Sequence, residues 1–484
     1  MSNWKTIIGL EVHAEMLTET KMFSACPVVD SVEAAPNTAV DPLSLGMPGT
    51  LPVINQQAME YGMMVGLALH CEIPPYNQFA RKNYFYPDLP KGYQISQFDR
   101  PLAVNGYMDI ELSDGSSKRI RVRRAHMEED TGKLTHVGDG SLVDYNRAGV
   151  PLLEIVTEPD IFNSEEAEAY ARKLRALLQF LGVNHGDMSK GVLRFEANVS
   201  VMHKDDTEFR QRTEIKNLNS IRSMVRAIDY EVERQIKLYE NGDTVKSATL
   251  GWEETKGRII IQRYKERPDE YRYFPEPDLP IVEVSRAWVA EIQGRLPELP
   301  DAKKVRFVNL GLSAYDAMVL TLDKSVANYY EEVLKFGVNP KTTSNWFTGD
   351  LFRLLNENKV DRELIAETKI TPQNFAKMIQ LVESGQINAA TARADVLPVI
   401  WESGQDAEAI VKDKGLAQVS DTSLISDNVA QAMERNPDMV QKYINGEEKV
   451  FNALFGQVMG ALKGKANPTV VKNVLKAALE AKKG

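Results

Sequence analysis

Glu11 and His13 stand two residues apart in Ile7–Met16, a stretch that alternates cleanly between polar and apolar residues. In an extended strand that spacing puts both on one face with Gly9 and Glu15, while Leu10, Val12, Ala14 and Met16 take the other. One imidazole nitrogen beside hard carboxylate oxygens suits Mg²⁺ or Mn²⁺ better than a thiol-preferring metal. His126-Met127-Glu128-Glu129-Asp130 adds three consecutive acids after a basic strand. Adjacent strand residues face opposite ways, so Glu128 and Glu129 cannot both enter one site unless the strand has ended. Glu154 is a lone acid in the apolar run Val150–Val156, and Glu196 repeats that pattern in Leu193–Asn198. A charge buried there needs a partner. Taken singly, each acid also reads as a salt-bridged structural residue. Together, on sheet-like segments with a histidine, they read as a shared cation site.

Two positive elements could oppose them. Arg119, Arg121 and Arg123 alternate with Ile120 and Val122, which gives either a charged edge strand that resists aggregation or a set of forks for phosphate. Arg81-Lys82-Asn83-Tyr84-Phe85-Tyr86, continuing to Tyr93, interleaves cations with aromatics. That fits a base or ribose stacked beside phosphate, or a rigid aromatic loop. No GxxxxGK[ST] loop occurs and no GxGxxG follows a strand, so a nucleotide needs a non-standard site. Gly186–Lys190 faintly resembles a synthetase lysine loop but lacks its histidine-glycine partner. Cys26 and Cys71 have no base signature nearby and read as packed residues.

The elements that hold these residues follow from pattern and punctuation. A chain of 484 residues exceeds one core, so several domains are expected. The first three hundred residues read as mixed strand and helix, with a long proline-punctuated loop over Lys21–Asn55. Helices are expected at Ser164–Leu181 and Ser220–Asn241. In the second, Ile221, Val225, Ile228, Val232 and Ile236 form the apolar stripe, Asn219 or Ser220 caps the start and Gly242 ends it. Pro297 and Pro300 mark a shift to helical periodicity, and Ser403–Gly404 breaks it again. The expected division is 1–294, 295–405 and 406–484. The class is α+β: a mixed-sheet cradle, a helical domain and a small helical tail domain.

With a net charge of −10 the chain is no general nucleic-acid binder, so RNA contact must come from local patches. Gly460–Gly484 is one, with six lysines against the single acid Glu480. It reads either as a solvated tail or as a phosphate-contacting module. Two cysteines make no disulfide framework and suit a reducing compartment. Short, interrupted apolar runs exclude a spanning helix, and Met1–Lys5 leaves no room for a signal peptide, so a cytoplasmic protein is expected.

Several motifs then carry a resemblance. Ile8–His13, Arg81–Asp88, His126–Asp130, Ser141–Arg147, Glu214–Ser220 and Asp269–Asp278 look like those of the B subunit of the aspartyl/glutamyl-tRNA(Asn/Gln) amidotransferases, the GatB/GatE family. Gly456–Met459 and Gly464–Pro468 extend the likeness into the tail. The resemblance implies a C–N ligase with glutamine as amido donor, active in a heterotrimer with an amidase (glutaminase) and a small third subunit. It implies ATP-dependent phosphorylation of the Glu or Asp side chain on misacylated tRNA(Gln) or tRNA(Asn), followed by amidation with ammonia from the partner. The alternative is a non-catalytic tRNA-binding scaffold for the amidase. A free-standing ligase is disfavoured by the missing signatures.

Carried onto this sequence, the resemblance implies Lys82, Glu11 and Glu128 as catalytic residues, and Lys82, Arg81 and Tyr84 at the nucleotide. It implies His13, Glu129 and Glu154 as metal ligands with Glu11 and Glu196 beside them, and of the adjacent pair it favours Glu129 over Glu128. ATP and Mg²⁺ are the implied cofactors. Glu196 stands where the family has Asp, which keeps the charge but lengthens the reach. Many members carry four cysteines in the stretch matching Phe23–Gly46. Here Cys26 alone remains, and Ser24, Asp41 and Ser44 stand at the other positions. One thiolate cannot build a tetrahedral zinc site, so no structural zinc is expected, and packing and prolines must hold the loop.

Overall fold

A computed structural model describes residues 3–264, 271–417, 422–447, 449–462 and 466–482. Asp269 and Glu270 of the quoted motif, and Lys463, Gly464, Lys465 and Lys483 of the basic tail, lie outside them. The chain divides into two compact units, one ending at Ala302 and the other beginning at Lys303. The expected boundary at 294/295 falls between the helices Arg286–Gly294 and Pro300–Asn309. Among the described residues no helix is long and apolar enough to cross a membrane.

Among the described residues the first unit is built on an eleven-stranded mixed sheet. Its strands are β1 (Trp4–Glu15), β2 (Phe79–Asn83), β3 (Tyr93–Gln97), β4 (Ala103–Glu111), β5 (Ser117–Glu129), β6 (Pro151–Thr157), β7 (Leu193–His203), β8 (Thr213–Leu218), β9 (Ala248–Glu253), β10 (Arg258–Tyr264) and β11 (Phe274–Pro275). They lie in the order β10-β9-β8-β7-β1-β6-β5-β3-β2-β11, with β4 on β5. Alternation decides which face is which. Leu10, Val12 and Ala14 of β1 are wholly buried, as are Leu153, Ile155, Ala197 and Val199 of its neighbours. Each such large aliphatic side chain contributes about 1.5–3 kcal/mol relative to exposure. The residues between them take the opposite face.

The covered face packs under α1 (Gln56–Ala68), α2 (Ser164–Leu181) and α3 (Ile221–Glu240), all members of one apolar cluster. Asn163 caps α2 and left-handed Gly182 ends it; Ser220 accepts from Ser223 N at 3.0 Å to cap α3. The stripe of α3 is the expected one only in part: Ile221 and Ile228 are buried in the core and Val232 packs against it, but the buried face is turned toward other residues. Met224, Ala227, Glu231 and Gln235 are buried, while Val225, Val232 and Ile236 are only half-buried. Glu231 and Gln235 are tolerated there because both hydrogen-bond Thr213 Oγ1, at 2.8 and 2.9 Å.

The loop from Lys21 to Asn55 is held by more than packing and prolines. The buried Lys21 ammonium donates to the carbonyls of Ala39 (2.8 Å) and Tyr145 (3.3 Å). Asn146 Oδ1 accepts from Ala39 N at 2.8 Å. Burial works against the Asp41 carboxylate, but hydrogen bonds from Ser44 and Ser24 hold it below its ordinary range.

The second unit is helical. Phe307, Tyr330, Phe347 and Phe375 form an aromatic core, with ring centres 5.1, 5.3 and 5.5 Å apart in succession. Gly404, with φ +72°, ends the helix Leu397–Ser403 as its sequence suggested. The next helix, Ala407–Asp413, still belongs to the aromatic part: Ala407, Ile410 and Val411 are buried and Ala407 N donates to Asn374 at 2.8 Å. A separate core of Ile425, Val429, Leu454, Val458, Val471, Leu475 and Leu479 begins only with the helix Thr422–Arg435.

Candidate active site

The polar face of the sheet gathers its chemistry through register. His13 stands opposite Glu154 on β6, and Glu154 opposite His126 on β5. One row lower, Glu11 stands opposite Glu196 on β7. Two β-bulges set the phase at either side. In β5 the extra residue between Val122 and Arg124 turns Arg124, His126 and Glu128 to the polar face, because Ala125 and Met127 then meet the core. In β8 Asn217 adopts φ +61° within the register shift. Leu218 thereby returns to the core while Glu214 and Lys216 both remain on the polar face.

Two groups of three result. His13, Glu128 and Glu154 bring ligand atoms within 4.8 Å of one another, as do Glu11, Glu196 and Glu214. In the first, His13 Nε2 lies 3.2 Å from Glu154 and 3.8 Å from Glu128, and His126 Nε2 lies 3.6 Å from Glu154. In the second, Asn198 donates to Glu11 at 2.9 Å, and the Lys216 ammonium lies 2.8 Å from Glu196 and 3.7 Å from Glu214.

Burial and charge oppose one another throughout. Burial disfavours the imidazolium of His13, but the Glu154 hydrogen bond and the fields of Glu154, Glu196 and Glu128 raise it to about 9. His126 goes the other way, to about 4, because burial and the charges of Arg124, Lys82 and His13 outweigh Glu154. Burial and the Glu154 field lift Glu128 to about 7 against Lys82 and His13. Glu154 itself stays well below the ordinary range despite burial, held by the imidazoles and Lys82. Burial and the fields of Glu154, Glu196 and Glu214 raise Glu11. The Lys82 amine is raised although burial opposes it, chiefly by Glu128, with Tyr273 and Glu154 adding to it.

The remaining candidates separate. Glu129 points away from this group: its carboxylate pairs with the Lys91 ammonium and accepts from Ile95 N at 2.9 Å. Because β5 continues through residue 129, only one of the adjacent acids can face His13, and it is Glu128 rather than Glu129. Arg81 is engaged by Glu276 through two hydrogen bonds of 2.7 and 2.9 Å and by Asp278 at 3.2 Å, on the opposite face from Lys82. Tyr84 stacks on Tyr86, centres 5.2 Å apart, just past the end of β2. Arg119, Arg121 and Arg123 are forked onto Asp109, Asp160 and Glu158. The strand that carries them runs between β4 and β6, so they line neither an exposed edge strand nor a free phosphate cradle.

Sequence reasoning did not single out Glu214, Lys216, His126, Arg124 or Tyr273. The i, i+2 spacing of Glu214 and Lys216 about Ile215 was a usable signal for Glu214, of the kind that marked Glu11 and His13. The others needed the bulges and the long-range return of Tyr271–Pro275 beside Lys82, where the Lys82 ammonium stands 5.1 Å over the Tyr271 ring.

Known proteins resemble the chain along most of its length. Residues 6–290 match the GatB/GatE catalytic domain and residues 328–479 the GatB domain. The B subunit of the aspartyl/glutamyl-tRNA(Asn/Gln) amidotransferase of Caldicellulosiruptor saccharolyticus is 50% identical over 480 residues, 99% of each chain. The protein of that name from Thermodesulfovibrio yellowstonii is 48% identical over 98% of each chain, and that from Thermotoga petrophila 45% over 99% of each. Matched over most of its length, the chain belongs to the GatB/GatE family.

Proposed function

We propose that this chain activates a side-chain carboxylate within a tRNA-dependent amidotransferase complex. It transfers the γ-phosphoryl group of ATP to the Glu or Asp side chain on misacylated tRNA, and ammonia from a partner amidase then displaces phosphate. The observation that carries this reading is the His13/Glu128/Glu154 group beside the half-buried Lys82 on one polar sheet face.

A carboxylate is a poor acyl donor until one oxygen becomes a good leaving group. In the first step that oxygen bonds to the γ-phosphorus as the bond to the bridging oxygen breaks and ADP departs. In the second, ammonia attacks the acyl carbon and phosphate leaves with the carboxylate oxygen. Neither step needs a protein nucleophile; both need charge neutralisation and alignment.

The residues supply these. The donor set fits Mg²⁺: one imidazole and two carboxylates converge within 4.8 Å, and Glu128 Oε2 is buried without a hydrogen bond. Held by His13, Glu128 and Glu154, Mg²⁺ would neutralise charge on the phosphoryl oxygens. Lys82 adds an ammonium for the phosphates. The stacked pairs Phe98–Tyr273 and Tyr84–Tyr86 offer flat surfaces for a base. Glu11, Glu196 and Glu214 form a second oxygen set that Lys216 partly neutralises. The basic tail core fits backbone contact with tRNA. The partners on this reading are the amidase (glutaminase), the small third subunit of the heterotrimer and the misacylated tRNA.

The test uses the assembled complex. His13→Ala and Glu128→Gln are expected to abolish tRNA-dependent ATP cleavage while the complex keeps its size on gel filtration. Full cleavage by both variants would leave this chain a scaffold.

A further inference from the structure

Four arginines follow one another closely on β5, and the structure treats the last differently. Arg119, Arg121 and Arg123 each fork onto a carboxylate, with paired hydrogen bonds between 2.7 and 3.0 Å. Arg124 makes no ion pair among the described residues, and its Nε is shut from water without a hydrogen bond. Its neighbours in register are Val104 on β4 and Val156 on β6, which offer no side-chain acceptor. The bulge before it places it on the polar face with His126 and Glu128, two residues apart and about 7 Å of strand each time. A half-buried guanidinium with an unmade hydrogen bond costs free energy unless something completes it. The neighbouring acids Asp109, Glu158 and Asp160 are already paired with the three exposed arginines.

We propose that Arg124 binds an oxyanion of a reactant, completing its fork only when substrate is present. This rests on the proposed function, which supplies two sources of one chemistry: the side-chain carboxylate of the aminoacyl-tRNA and the phosphates of ATP. The planar fork of Arg matches either in a bidentate manner, and neither fits Glu11 or Glu154, which repel anions. Arg124 and Lys82 then flank the carboxylate group from two strands, so that an anion is attracted at its edges and a cation at its centre.

The experiment compares the unaltered complex with Arg124→Gln and Arg124→Lys. Equilibrium binding of ATP with Mg²⁺, of Glu-tRNA and of uncharged tRNA is measured, together with KM for each reactant and thermal unfolding. Arg124→Gln is expected to weaken one reactant at least about tenfold, the scale of one lost charge-assisted contact. Arg124→Lys should recover part of that loss, and neither variant should lower the melting temperature. Weakening confined to ATP assigns the phosphate. A loss of the preference for Glu-tRNA over uncharged tRNA assigns the carboxylate. Binding and KM within twofold for all three ligands, or a matching fall in stability and in every constant, overturns the assignment. If the unaltered complex forms no amide with ATP, the proposed function fails, and the binding comparison still decides Arg124.

Discussion

The two acidic groups on the polar face differ in how they balance their charge. Around His13, Glu128 and Glu154 the compensation comes from the His13 imidazolium and from Lys82, which has no ion pair within the group; Glu128 Oε2 and the Nδ1 atoms of His13 and His126 are buried without hydrogen bonds. Around Glu11, Glu196 and Glu214 an ammonium is already built in: Lys216 touches Glu196, and Asn198 and Thr249 donate to Glu11 and Glu214 at 2.9 and 3.1 Å. Glu196 Oε2 and Asn198 Oδ1 of the second group are also buried without a hydrogen bond, but an ammonium stands 2.8 Å from Glu196, whereas among the described residues no ammonium pairs with an acid of the first group. On the proposed function, that difference gives the chemistry to the first and a supporting, charge-setting role to the second.

The largest expected effect separates them directly. Glu154→Gln removes the carboxylate shared by both imidazoles and should cut tRNA-dependent ATP cleavage by about 10²–10³-fold or more, the scale of a lost charge-stabilising group. Glu214→Gln, in the second group, should cost about tenfold in the same assay. Equal losses would erase the distinction.

A thermal measurement sharpens it. In the metal-free protein His13 rises from its ordinary 6.5 to about 9. Its contribution to stability is therefore complete below pH 6.5 and lost as pH rises through 9. A cation must displace that proton, so added Mg²⁺ should raise the melting temperature more at pH 9 than at pH 6. A pH-independent gain would place the bound ion away from His13.

Much of this site was legible from residue order. Alternation in β1 fixed the shared face of Glu11 and His13, and Glu154 stood out as an acid in an apolar run. The choice between Glu128 and Glu129 was not legible, because it depends on a one-residue bulge that shifts the phase of β5. Arg81 read as a nucleotide contact because its partner Glu276 lies 195 residues away in sequence. The fold was read well at the ends of α3, where Ser220 caps the start and Gly242 follows the end, and less well along it, where buried Glu231 and Gln235 replaced apolar residues. The tail boundary was set early for a similar reason: Gly404 ends a helix, but Asn374 draws the next one back.

The tail gives the smallest expected effect. Deleting residues 422–484 removes the separate core and leaves Ala407–Asp413 packed. The deletion should weaken tRNA binding several-fold at moderate salt, with a shallower salt dependence than the full chain. Identical affinity and slope would deny the tail a phosphate-contacting role.

The central claim is that a side-chain oxygen leaves with phosphate. Misacylated tRNA carrying ¹⁸O in the side-chain carboxylate, given to the complex with ATP and glutamine, tests it by mass analysis of the released phosphate. One ¹⁸O in each phosphate formed with the amide is the expected result; phosphate whose new oxygen comes only from water would contradict it.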